Sequence, residues 1–121
     1  MAQNISLKIF TPEKTALSRR IYRVVVPYGT TNLTLIEQRA PTSLLLRAGA
    51  LQILAEDNSV EDLYFIDGGV VDFAQDECKI STQHIIHRSK ISRERALELC
   101  EAEPHNAEYY QMIADYIENF G

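Results

Sequence analysis

Three histidines, two cysteines and one pair of adjacent glycines are the residues in this chain whose types invite a search for chemistry. His84, His87 and His105 form no HExxH pair and add no third ligand at metal spacing, so a structural or solvent-facing role is expected for each and no metal. Cys78 and Cys100 lie far apart with no CxxC spacing and no local sign of a lowered thiol pKa, which fits idle thiols in a reducing compartment. Gly68-Gly69 lacks the GxxxxGK[ST] frame and precedes strand-like residues, so it does not cradle a phosphate. No GxSxG turn is present either. Residue chemistry alone therefore describes a binding module, not an enzyme, and no cofactor is implied.

Charge narrows the partners. Twelve Lys and Arg against 17 Asp and Glu leave a net charge of −5, which argues against a nucleic-acid ligand. The charges are zoned. Glu56 to Glu77 holds acids and no base, Arg88 to Arg95 holds Arg88, Lys90, Arg93 and Arg95, and after Arg95 every charged side chain except histidine is an acid. No apolar run reaches the roughly 18 residues of a membrane span, and Gln3, Asn4, Ser6 and Lys8 interrupt the start of the chain, unlike a secretory signal. A cytosolic or organelle-matrix location is expected.

The elements that must position these residues change period once. At 121 residues and 45% hydrophobic composition the chain is long and apolar enough for one stable core. Up to about Ser81 the pattern is that of strands. Ile5, Leu7 and Ile9 alternate with polar residues and stop at Thr11-Pro12, and Ile21 to Val26 is β-branched and closed by a turn at Pro27-Tyr28-Gly29. Leu33 to Ile36, Thr42 to Leu46, Leu51 to Ala55, Leu63 to Ile66, Val70 to Phe73 and Cys78 to Ser81 follow as further short strands, with a hairpin at Asp57-Asn58-Ser59, although the Leu44-Leu45-Leu46 run fits either period. Gly68-Gly69 marks either a bulge or a site of close backbone approach. About eight short strands at close spacing predict a sandwich or barrel.

Beyond Lys90 the spacing becomes helical. Ile91, Ala96, Leu99 and Cys100 share a face, Ser92 is positioned as an N-cap, and Pro104 ends this helix. Asn106 is placed to cap a second helix carrying the stripe Tyr109, Met112, Ile113, Tyr116, Ile117 and Phe120. The fold class predicted is mainly β: an N-terminal β-sandwich over residues 1–87, then a short C-terminal α-helical hairpin over residues 88–121.

Two segments carry a family resemblance. Arg39-Ala40-Pro41, with Leu44-Leu45-Leu46 and Ala48-Gly49-Ala50-Leu51 after it, resembles the His-Ala-Pro-Leu stretch and Pro-Gly turn of the epsilon subunit of F-type ATP synthases, called delta in mitochondria. Tyr64-Phe65-Ile66-Asp67-Gly68-Gly69-Val70-Val71-Asp72 is similar to that family's strand, double glycine and strand, and the ordered series extends over roughly residues 5–103. The resemblance implies a non-catalytic rotor part, packed on the gamma subunit and on the c-ring, that couples proton flow to ATP synthesis. It implies peripheral membrane association on the cytoplasmic face of a bacterial inner membrane or the matrix side of an organelle. It also places a partner interface at Asn32, Arg39, Ala40 and Pro41, although Pro41 alone reads equally well as a turn-setting residue.

Three departures from the family pattern have consequences. Arg39 stands where histidine is usual and Asn32 where an acid is usual. Ile91-Ser92-Arg93-Glu94-Arg95-Ala96 is similar to the ATP-sensing motif of some bacterial members, with Ile91, Arg95 and Ala96 retained and Ser92 at the acidic position. Physiological ATP binding is not expected, and Arg95 is the phosphate candidate if it occurs. The tail after His105 has acids and no Lys or Arg, so it is not expected to inhibit ATP hydrolysis by reaching an acidic loop of the catalytic subunits. The alternative reading is a diverged sandwich that binds a different protein through the Tyr109-to-Phe120 stripe.

Overall fold

Alternation along the first strand sets up the whole body, because Ile5, Leu7 and Ile9 all point inward and are fully buried. In the computed structural model, which describes residues 3–120, this strand, β1 (Ile5–Phe10), lies between β2 (Thr15–Ile21) and β7 (Glu77–Ser81). The remaining strands are β3 (Arg23–Tyr28), β4 (Thr31–Leu35), β5 (Thr42–Leu54), β6 (Val60–Ala74) and β8 (Ile85–His87). Two helices follow, α1 (Arg93–Ala102) and α2 (Ala107–Phe120), each preceded by a 3-10 turn, Arg88–Lys90 and Pro104–Asn106 respectively. Met1, Ala2 and Gly121, which the predicted boundaries include, lie outside the described residues.

The strand order is β2-β1-β7-β6-β5-β3-β4, with β8 also on β6. The sheet folds back on itself, so that Ile9 of β1, Ile80 of β7 and Phe73 of β6 share one core with Val24 of β3, Leu35 of β4 and Ile53 of β5. That is a sandwich, and the mainly β prediction holds. β5 and β6 make it possible. The hairpin keeps one antiparallel register from Thr42↔Phe73 to Ile53↔Asp62, and different lengths of it serve different neighbours. Its open end pairs with β7 through Val70 to Ala74, and its turn end pairs with β3 through Gln52 to Leu54 and with β8 through Tyr64 to Ile66.

Four predicted strands are thus two long ones, and two real strands escaped the pattern. β2 is an edge strand in which only Leu17 and Ile21 pack on the core, so its sequence shows no apolar run. Its Arg19 and Arg20 guard that edge. β8 has three residues, too few to establish a period. The turn predicted at Pro27-Tyr28-Gly29 falls later, because β3 runs through Tyr28 and the chain reverses at Gly29.

Gly68-Gly69 resolves in favour of close approach. The β5 register is unchanged across it, with Leu46↔Gly69 and Ala48↔Asp67, so neither strand carries an extra residue, although Gly68 at φ +68 leaves the ladder between them. On the other side, β7 and β8 continue one another along β6 in a common register and are interrupted at Thr82 to His84. At that interruption Gly69 has φ +136, and a Cβ there would stand 2.1 Å from the Ser81 carbonyl oxygen. Only glycine fits.

At the turn end of the hairpin the outer face of β5, β6 and β8 is also buried. Leu63 and Phe65 alternate with Tyr64 and Ile66 and join Ala96 of α1 and Tyr109, Tyr110, Ile113 and Ala114 of α2 in a second core. Ser92 caps α1, its Oγ accepting from the Arg95 N–H at 3.1 Å. Asn106 does not act as the expected cap of α2. Its side-chain amide instead donates to Glu103 Oε1 at 3.3 Å, and α2 grows out of the 3-10 turn begun by Pro104.

Candidate partner-binding surface

Nothing among the described residues gathers into a catalytic centre. No three His, Cys, Asp or Glu side chains converge to hold a metal. Cys78 is fully buried in the sandwich core, and burial pushes its thiol up to about 12, away from any nucleophilic role. Two histidines do have carboxylate partners that their sequence spacing conceals. His84 Nδ1 lies 3.3 Å from Asp67 Oδ2, with its ring stacked on Tyr109, and His87 Nε2 lies 2.9 Å from Asp62 Oδ1. Both pairs bracket β8 on β6, where the register of Tyr64↔His87 and Ile66↔Ile85 creates the proximity. His105 sits in the 3-10 turn Pro104–Asn106 and is exposed.

The predicted interface residues occupy two regions. Arg39, Ala40 and Pro41 form the connection that enters β5. Arg39 Nε donates to Thr42 Oγ1 at 3.3 Å, and that hydroxyl donates to the Ala40 carbonyl at 2.9 Å, so side chain and backbone fix the segment locally. Pro41 is exposed at the rim of an open cleft of about 460 Å³ bordered by Ser43, Asp72, Glu77 and Lys79. Asn32 lies on β4 and borders a different cleft of about 580 Å³ between β5 and α2. There its Oδ1 accepts from Arg47 at 3.4 Å. The clefts meet β5 near Thr42 and near Ala48 to Ala50, so they lie roughly 20 Å apart at the rise of a strand.

A feature that the pattern reading passed over lies beside Pro41. Leu45 and Val70 are directly opposed across the β5–β6 ladder and both face solvent, Leu45 at 76% exposure. Ser43 and Asp72 form the next outward pair and are hydrogen-bonded to each other. Leu45 and Val70 thus place an aliphatic pair among polar groups on the open face of the sheet. The Leu44-Leu45-Leu46 run does not reveal this by itself, because it suits either period, and its outward residue emerges only once β5 fixes the alternation.

The helical pair exposes little of its apolar stripe. Tyr109 and Ile113 are buried, Met112, Tyr116 and Ile117 pack on the second core, and Phe120 alone remains 70% exposed. Within the motif resembling the ATP-sensing one, Ala96 is fully buried and Ile91 packs against the second core. Arg95 points outward, with Nη1 3.8 Å from Glu98. The stripe is thus spent on the chain's own sheet, which counts against the reading that it recruits another protein.

A two-layer β body with a helical pair over one outer face defines a β-sandwich protein with a helical cover, and the matching family model is that of the ATP synthase delta/epsilon chain β-sandwich domain, over residues 4–88. The chain belongs to the ATP synthase delta/epsilon chain family. It is similar to the ATP synthase epsilon chain of Gluconacetobacter diazotrophicus, with 32% identity over 92 residues, 76% of this chain and 64% of the relative. It therefore spans slightly less than two-thirds of that relative's length. The epsilon chain of Rhizobium rhizogenes is 24% identical over 114 residues, covering 92% of this chain and 84% of the relative. The fold is shared with a chain in the cryo-EM structure of the Euglena gracilis mitochondrial ATP synthase comprising OSCP, F1 and c-ring, at TM-score 0.76 and 17% identity over 98% of this chain and 82% of that one. A chain from the Tetrahymena thermophila mitochondrial ATP synthase central stalk and c-ring matches at TM-score 0.61 and 14% identity, over 92% and 96%. No helix among the described residues is long and apolar enough to cross a membrane.

Proposed function

We propose that this chain is a non-catalytic central-stalk subunit of an F-type ATP synthase. It packs on the gamma subunit and the c-ring and so couples proton-driven rotation to ATP synthesis. The observation that carries this reading is the family match across the whole sandwich, residues 4–88. The exposed Leu45–Val70 pair supports it, because β5 continues from Arg39, Ala40 and Pro41 and, paired with β6, offers a protein contact an apolar centre. The sandwich of residues 1–87 acts as the gripping unit. The helical pair of residues 88–121 acts as a cover, too acidic at its end to engage an acidic loop and inhibit hydrolysis. Association with the membrane is peripheral, on the cytoplasmic face in a bacterium or the matrix side in an organelle.

The test is co-purification of the full chain with the gamma subunit of its own organism, with and without Leu45→Glu. Stable co-purification that Leu45→Glu weakens at least tenfold is expected. A chain that stays monomeric beside a folded gamma subunit overturns the reading.

A further inference from the structure

His87 stands at the covalent passage from the sheet into the helical pair. It closes β8, and its side chain caps the 3-10 turn Arg88–Lys90 that leads to α1. Both ring nitrogens are engaged. Nδ1 is 3.1 Å from the backbone nitrogen of Ser89 and 2.7 Å from Ser89 Oγ, while Nε2 is 2.9 Å from Asp62 Oδ1. A backbone N–H only donates, so Nδ1 is the acceptor here. The ring proton then resides on Nε2 and is donated to Asp62. The geometry thus selects one tautomer of the neutral imidazole.

The groups around the ring come from three elements. From β6, Asp62 binds it, Glu61 lies beside Asp62, and Tyr64 meets it edge-on with centroids 4.8 Å apart. From β2, in the other layer, Arg19 binds Glu61 and also donates to Asp62 Oδ2 at 2.8 Å. Arg88 and Lys90 follow in the turn itself. Asp62 stays ionised while an imidazole titrates, because the hydrogen bond from His87, helped by Arg19 against partial burial, holds its carboxyl below the ordinary carboxylate range. Burial first, then the Asp62 charge, keeps the Tyr64 hydroxyl neutral.

We propose that His87 is a proton-operated cap at the joint between sandwich and helices. In its neutral form it shapes the 3-10 turn by accepting the Ser89 N–H. When a proton from solvent occupies the Nδ1 lone pair, that acceptor is gone. The new N–H turns to Ser89 Oγ, already within reach, and the cationic ring tightens on Asp62. The backbone N–H of Ser89 is released to water. The ring therefore stays on β6 in both states, and only the neutral form also holds the turn. This device goes beyond the stalk assignment and operates whatever partner the sandwich grips.

The experiment is NMR on the full chain from about pH 8 to pH 5, the imidazole range, following the His87 ring nitrogens and the Ser89 amide. The Nε2–H tautomer is expected at high pH. Ser89 amide exchange, corrected for its intrinsic rate, should become roughly fivefold faster as the ring protonates, the value of one net hydrogen bond. His87→Asn supplies an oxygen that accepts without titrating, so its Ser89 amide should stay slow throughout, whereas His87→Ala should be fast throughout. The β1 and β7 amide shifts verify that each variant is folded. An Nδ1–H tautomer at high pH, a Ser89 amide indifferent to the titration of His87, or an unchanged pH dependence in His87→Asn overturns the proposal.

Discussion

The hydroxyl of Tyr109 on α2 donates to the main-chain carbonyl of Phe65 on β6 across 2.6 Å, and both residues are buried. This bond fixes the helical pair on the sandwich at one point, with the His84 ring stacked beside it and Tyr116 edge-on to the Phe65 ring. Removing only the hydroxyl, Tyr109→Phe, should cost about 1–2 kcal/mol in urea unfolding, since the Phe65 carbonyl loses a buried donor. Tyr109→Ala should cost about 3–5 kcal/mol and open the Arg88 to Arg93 joint to limited proteolysis. Equal costs for the two would show that the hydroxyl bond alone matters, and a neutral Tyr109→Phe would show that ring packing alone does.

Gly29 and Gly69 both have positive φ, but only one is enclosed. Nothing lies within 4 Å of a Cβ at Gly29, so Gly29→Ala should cost only the backbone term, about 1–2 kcal/mol. Gly69→Ala drives a methyl to 2.1 Å from the Ser81 oxygen and should cost more than about 3 kcal/mol or prevent folding. Thermal melts of the two variants side by side check the ordering.

Asp62 contributes at the acid limit. Its folded pKa is depressed, chiefly by His87, so its contribution is complete above the ordinary carboxylate value of 3.8 and disappears as pH falls through the lower folded value. Its side chain is about a quarter exposed, so after solvent screening the contribution is about 1 kcal/mol or less. Stability followed from pH 6 to pH 2 should fall less steeply in Asp62→Asn than in the parent.

Cys78 acts at the alkaline limit. Its thiol is neutral in the fold up to about pH 12, while the unfolded thiol ionises near 9.0, so stability is lost as pH rises from 9. Alkylation at pH 8 should modify the half-buried Cys100 first, with Cys78 reacting only at the rate of opening. Equal reaction rates for both thiols in the folded chain would contradict this.

What sequence reading recovers depends on whether a residue's role shows in its near neighbours. β1, β4 and β7 alternate, and Ser92 precedes its helix by one residue, so local spacing locates them. β2 hides because Leu17 is its only large apolar residue before Ile21. The two long strands look divided because Arg47-Ala48-Gly49 and Asp67-Gly68-Gly69 resemble breaks, and Gly68 does leave the extended region at φ +68, although the pairs on either side keep one register. The His87–Asp62 and His84–Asp67 pairs join residues 25 and 17 positions apart, and only the β6–β8 register reveals them. Leu45 was legible as apolar but not as outward-facing until the parity of β5 was fixed.

Because β5 and β6 belong to both layers, neither sheet ends where the other begins. Peeling β7 and β1 from one end of the hairpin strains the same two backbones that carry β3 and β8 at the other. Unfolding should therefore be a single cooperative event. A twisting load, were one applied near Leu45, would pass along the same two strands to the opposite end, so both layers would have to give together.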